Sequence, residues 1–174
     1  MSGRLPEWID PLRLVEQRAE LSGTLALAGM SRLGGFLCDQ QGEIQVQLSF
    51  GHDAPGLRLV EGRLQADLRQ ICQRCLQPVT QHLDVPVRLG LVLSEQEADR
   101  LPENVEPLLV GRDPVRLTDI VEDELMLSLP VVALHEGEAA CVAVTERYTQ
   151  QPVEADEKRP NPFDVLSQLR DKKQ

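Results

Sequence analysis

Glu43-Ile44-Gln45-Val46-Gln47-Leu48-Ser49-Phe50 alternates polar and apolar residues without a break. A strand sends successive side chains to opposite faces, so this spacing predicts a half-buried strand with Ile44, Val46, Leu48 and Phe50 on its inner face. Working outward, the pattern returns twice. Val60, Gly62, Leu64, Ala66 and Leu68 alternate with Glu61, Arg63, Gln65, Asp67 and Arg69. Val79, Leu83, Val85, Val87, Leu89, Leu91 and Leu93 then hold one parity, broken only by Gln81. Asp53-Ala54-Pro55-Gly56 marks the first turn, and Gln70-Ile71-Cys72-Gln73-Arg74-Cys75-Leu76-Gln77 the second. Consecutive strands with short connections make an antiparallel meander. The expected class is α+β, a meander packed by short helices, with closure toward a barrel left open.

The flanks supply the helices. Asp10 is placed to cap and Pro11 to open a short helix. Residues 21–37 hold four glycines and give no clear period. Glu95 to Leu101 reads as a short acidic helix, and Val105 to Val110 as an added strand. Thr118 is the expected cap of a helix in which Val121, Leu125 and Leu129 form one apolar line, ended by Pro130. Residues 145–160 are polar and proline-interrupted, a linker closing a domain over 1–144. Residues 161–174 read as an amphipathic helix opened by Asn161 and Pro162, with Phe163, Leu166 and Leu169 on one face. It either docks on a partner or folds back.

The chain has 174 residues, 18 basic against 28 acidic side chains, and a net charge of −10, so nothing global attracts it to a phosphate backbone. Aromatics make up 3 % of the chain, too few for a base-stacking platform. The N-terminus lacks the apolar stretch of a secretory signal, and no segment is apolar enough to span a membrane. The expected location is cytoplasmic, where the four cysteines serve as thiols or metal ligands rather than disulfides.

Cys72 and Cys75 lie at the predicted hairpin tip, the setting of a zinc knuckle. Two further ligands are needed, and His135 and Cys141 follow the helix. Three readings stand for the pair: zinc, no metal, or redox chemistry. The redox reading lacks the strand-to-helix context such sites use. Zinc is the one cofactor indicated. Cys38 is isolated and reads as a small buried hydrophobe. No nucleophile elbow, phosphate loop, zincin helix or dinucleotide fingerprint is present. Glu122, Asp123 and Glu124 point in different directions on a helix and read as a solvated face.

Three segments in this order resemble a known family: Leu68 to Cys75; Val121 to Leu125 with Leu129-Pro130-Val131-Val132; and Lys158 to Phe163 with Val165-Leu166. The helix opened by Asp10-Pro11 fits it too. They resemble the YceD family, bacterial large ribosomal RNA subunit accumulation proteins, over nearly the whole chain. The resemblance implies a cytosolic, non-enzymatic factor in the synthesis, processing or stability of 23S rRNA. It also implies a metal site after the leucine-proline segment, where this chain has only His135 and Cys141 instead of a second cysteine pair. The expected partners are large-subunit rRNA or a precursor particle, reached through a basic ribosomal protein; a small-molecule substrate and a membrane are not expected. Glu122, Asp123, Asn161, Phe163, Leu166 and Leu169 are candidate partner contacts. An RNA-binding alternative uses Arg63, Arg69, Arg74 and Arg88. The competing classes are an rRNA nuclease or modification enzyme and a zinc-dependent structural adaptor.

Overall fold

The computed structural model describes residues 5–53, 56–137 and 141. The chain divides into two compact units, Met1–Glu136 and Gly137–Gln174. In the second, Gly137 takes a positive φ of 80° and Cys141 is buried. The expected linker and terminal helix lie outside the described residues.

In the first unit the meander forms as the alternation predicts. Strands β3 (Glu43–His52), β4 (Arg58–Ile71) and β5 (Pro78–Val92) pair antiparallel in order. Ile44, Val46, Leu48 and Phe50 are all buried, and the residues between them are exposed. In β5 the inward parity runs through Leu91; the strand ends at Val92 and Leu93 is exposed. Gly62 allows a close approach of the paired β3 and β4 backbones: a Cβ there would stand 1.9 Å from the Gln47 carbonyl oxygen.

Two strands complete the sheet. Strand β2 (Glu20–Ala26), in the stretch without a clear period, pairs antiparallel with β3. Strand β6 (Glu106–Leu109) pairs with β5 in parallel rather than continuing the meander. The chain must cross over to reach that direction, and the segment holding helix α3 (Glu95–Ala98) makes the crossing. The order β2-β3-β4-β5-β6 is linear, so the sheet stays open rather than closing into a barrel. A separate pair joins β1 (Trp8–Ile9) to β7 (Val115–Arg116).

Helices cover the inner face. Asp10 caps α1 (Pro11–Glu16), its Oδ1 accepting from the Arg13 N–H at 3.1 Å. A single 3₁₀ turn (Leu27–Gly29) leads into α2 (Ser31–Gly34). Helix α4 (Leu117–Ser128) buries Leu117, Val121 and Leu125 against the sheet, with Leu129 partly buried after it. Burying each such Leu or Val contributes about 1.5–3 kcal/mol. Thr118 is not the cap: the helix opens at Leu117 directly from β7, and no side chain caps it. Among the described residues no helix is long and apolar enough to cross a membrane.

Candidate functional site

The β4–β5 hairpin is paired to its end, Ile71 against Pro78, so residues 72–77 form a projecting loop. Within it the Cys72 N–H donates to the Gln77 carbonyl and the Leu76 N–H to the Cys72 carbonyl, each at 2.9 Å. Leu76 adopts a left-handed φ of 58°, which folds the loop back on itself at a steric cost of about 1–2 kcal/mol. The Gln73 N–H donates at 2.8 Å to the carbonyl of Ala133, in the segment after α4. That bond places His135 beside the two cysteines.

Cys72, Cys75 and His135 offer ligand atoms within 4.8 Å of one another. Cys72 and Cys75 are buried and His135 is half-buried. The His135 ring is oriented by a second contact: its Nε2 lies 3.1 Å from the Pro78 carbonyl oxygen. A carbonyl only accepts, so Nε2 carries the proton and Nδ1 presents a lone pair. Nδ1 faces Cys75 Sγ at 3.5 Å. A sulfur at about 2.3 Å and a nitrogen at about 2.0–2.1 Å from one tetrahedral zinc stand roughly 3.5 Å apart, so the spacing fits that metal.

The thiol chemistry fits as well. Burial alone would raise the Cys72 thiol, but the backbone N–H groups of Cys75, Arg74 and His135, with the His135 ring when its Nδ1 is also protonated, outweigh it and hold the group at about 5. At neutral pH Cys72 is therefore a thiolate, the form that binds metal. Cys141, the fourth residue expected at the site, belongs to the second unit and is buried. Cys38 departs from expectation. It is exposed, and its N–H donates to the Arg69 carbonyl at 2.7 Å.

The basic candidates do not converge. Arg69 pairs with Asp39 at 2.6 Å, and Arg63 with Asp84. Arg88 bonds Glu61 at 2.6 Å and Asp53 at 3.0 Å. Among the described residues Arg74, on the cysteine loop, has no ion pair. Of the carboxylates read as a solvated face, Glu122 is turned inward and only 4 % exposed. Its Oε1 accepts from the N–H groups of Arg32 (2.7 Å) and Leu33 (2.8 Å), and its Oε2 from Arg32 Nε (3.0 Å). It caps α2 from α4, and both oxygens are engaged inside the unit. Asp123 is exposed and binds Arg32 Nη1 at 2.6 Å. Asn161, Phe163, Leu166 and Leu169 lie outside the described residues.

Sequence reasoning passed over two cavities beside α4. One is a groove of about 500 Å³ lined by Phe36, Gln70, Ile71, Met126 and Val131 among others. The other, of about 320 Å³, is lined by Glu106, Asp123, Glu124, Met126 and Leu127 among others. The available signal was Val131-Val132, two apolar residues directly after the helix-ending Pro130.

Comparison with known proteins agrees with the order of motifs. The family model of large ribosomal RNA subunit accumulation protein YceD matches residues 60–170. A Haemophilus influenzae protein named large ribosomal RNA subunit accumulation protein YceD is 34 % identical over 170 residues, covering 97 % of this chain and 98 % of that protein. No solved structure matches. The name of that relative states an effect on an RNA and no reaction. With its hairpin cysteines, its α4 and the sequence onward to residue 170 all inside the family match, the chain belongs to the YceD family.

Proposed function

We propose that the chain acts by binding, as a cytoplasmic factor in the synthesis, processing or stability of 23S rRNA during large-subunit biogenesis. Its partners are large-subunit components. In this reading Cys72, Cys75, His135 and Cys141 together hold zinc. Four protein ligands close a tetrahedral site, whereas a catalytic zinc keeps one position open for water or substrate. Bound zinc supplies a crosslink, not a reaction. The chain's own groups do the rest: the Leu76 turn and the Gln73–Ala133 bond set the loop, and Pro78 fixes the His135 ring. The knuckle then holds a rigid tip at the end of the longest hairpin.

The observation that carries the metal reading is the His135 ring, locked by Pro78 so that Nδ1 faces the cysteines. Full-length protein purified without chelator is expected to contain one zinc per chain and to lose it in Cys72→Ser. Absence of zinc from the unaltered protein refutes the metal. The binding reading is tested by sedimenting ribosomal particles from growing cells. Recovery with large-subunit precursors is expected, and absence from every particle refutes it.

A further inference from the structure

The last turns of α4 are flanked on two sides by open cavities that share Met126. The groove on one side has apolar walls, and Val131 on its rim is 99 % exposed. Phe36 and Ile71 also line it and are exposed. Beside the other cavity Leu127 is 76 % exposed. Large apolar side chains gathered this way mark interaction surfaces.

Two polar observations sharpen the reading. Gln70 lines the groove, is 8 % exposed, and its buried Oε1 has no hydrogen-bond partner among the described residues. Such an acceptor is costly to leave unmatched, and a donor brought by a ligand would satisfy it. In the second cavity, burial and then the charges of Glu106 and Asp123 push the Glu124 carboxyl up to about 7. Asp123 is matched by Arg32. Glu106 and Glu124 have no cationic partner among the described residues.

We propose that the two cavities form one docking surface for a peptide segment of a basic protein, with an apolar side chain in the groove and a lysine or arginine in the acidic pocket. The proposal rests on the reading that the chain acts by binding, and narrows its partner to protein. Charge complementarity selects the occupant. Leu108, Ile120 and Leu127 give walls for the aliphatic stem of a long cation, and Glu106 and Glu124 meet its head. The same carboxylates repel a phosphate backbone.

The test uses full-length protein as bait for a phage-displayed library of random dodecapeptides. Selected peptides are expected to carry Lys or Arg within one helical turn of a Leu, Ile or Phe. The best peptide should bind about tenfold more weakly to Val131→Asp, and again to Glu106→Gln/Glu124→Gln. Both variants alter side chains outside the packed core, and circular dichroism checks that they fold. In methyl spectra the peptide should shift the Met126 signal. Selected peptides without a cation, unchanged affinity in both variants, or displacement of the peptide by mixed-sequence single-stranded RNA each overturn the proposal. These failures leave zinc content and particle association untouched, so they are distinguishable from failure of the binding reading.

Discussion

Removing the Glu122 carboxylate tests how α2 is held. Helix α2 has four residues and no side-chain cap of its own. Its Arg32 and Leu33 N–H groups point at Glu122 Oε1, ninety residues away in the chain. Glu122→Ala leaves both donors unmatched, one of them on fully buried Leu33, and leaves Arg32 Nε without its acceptor, while Arg32 Nη1 keeps Asp123. Unmatched buried donors cost about 1–3 kcal/mol each, so the two together put the expected loss at about 2–6 kcal/mol. Glu122→Gln keeps an oxygen for both N–H groups but puts an amide NH2 where Oε2 accepted from Arg32 Nε, so it loses the charge and that one bond. Because the Arg32 side chain is half exposed and screened by solvent, that change should cost clearly less than Glu122→Ala. Arg32→Ala keeps both N–H bonds but leaves the buried Glu122 carboxylate without its cation and removes the Asp123 contact, so it should cost at least as much as Glu122→Gln. Urea unfolding of the full chain, followed by circular dichroism with slopes compared, gives all three numbers. Total stabilities run to about 5–15 kcal/mol, so the alanine variant should be conspicuous. If Ala and Gln were equal, the two N–H bonds would contribute nothing and the capping argument would be wrong.

Other expectations follow from single contacts. Gly62→Ala drives a methyl group into the Gln47 carbonyl and should cost about 2–3 kcal/mol in the same urea assay. Glu124→Gln should stabilise the protein at pH 8 and have little effect at pH 4.5. A carboxyl raised from 4.5 to about 7 binds more protons folded than unfolded, so wild-type stability falls as pH rises through that window. Urea midpoints at the two pH values check the sign. Reversing Arg69 and Arg74 to Glu should leave rRNA association intact in particle sedimentation, since Arg69 is already matched by Asp39. Loss of association would restore the RNA-binding alternative.

Strands β3, β4 and β5 were legible because one face of each is buried, and burial on one face writes a period of two into the sequence. Strand β2 was not. It lies at the sheet edge, where Leu21 and Leu25 are half-buried and only Gly23 is buried. The strand near Val105 was expected, but its direction was not, because parallel and antiparallel pairing leave the same alternation. Among the site residues, Cys72, Cys75 and His135 could be named from spacing. The fixed tautomer of His135 could not, since it depends on a carbonyl at Pro78. Glu122 misled for the same reason: three carboxylates in a helix read as a wet face unless the N–H groups that need one are visible.

Net charge says how much a protein attracts, but not where. On the outer face of β4 and β5, Glu61 stands directly opposite Arg88 and Asp67 directly opposite His82. Both pairs are in contact, at 2.6 Å and 2.7 Å. Arg63 reaches Asp84 on the diagonal. Such cross-strand pairs each contribute only about 0.2–1 kcal/mol, but they occupy the cations that a phosphate backbone would need. The sheet is thereby made electrically bland, although it carries three of the four arginines once read as an RNA surface. The acidic excess is left to act elsewhere. Beside α4, Glu106 and Glu124 crowd one apolar-walled pocket without a cation among the described residues, so the attraction the chain exerts there is for positive charge.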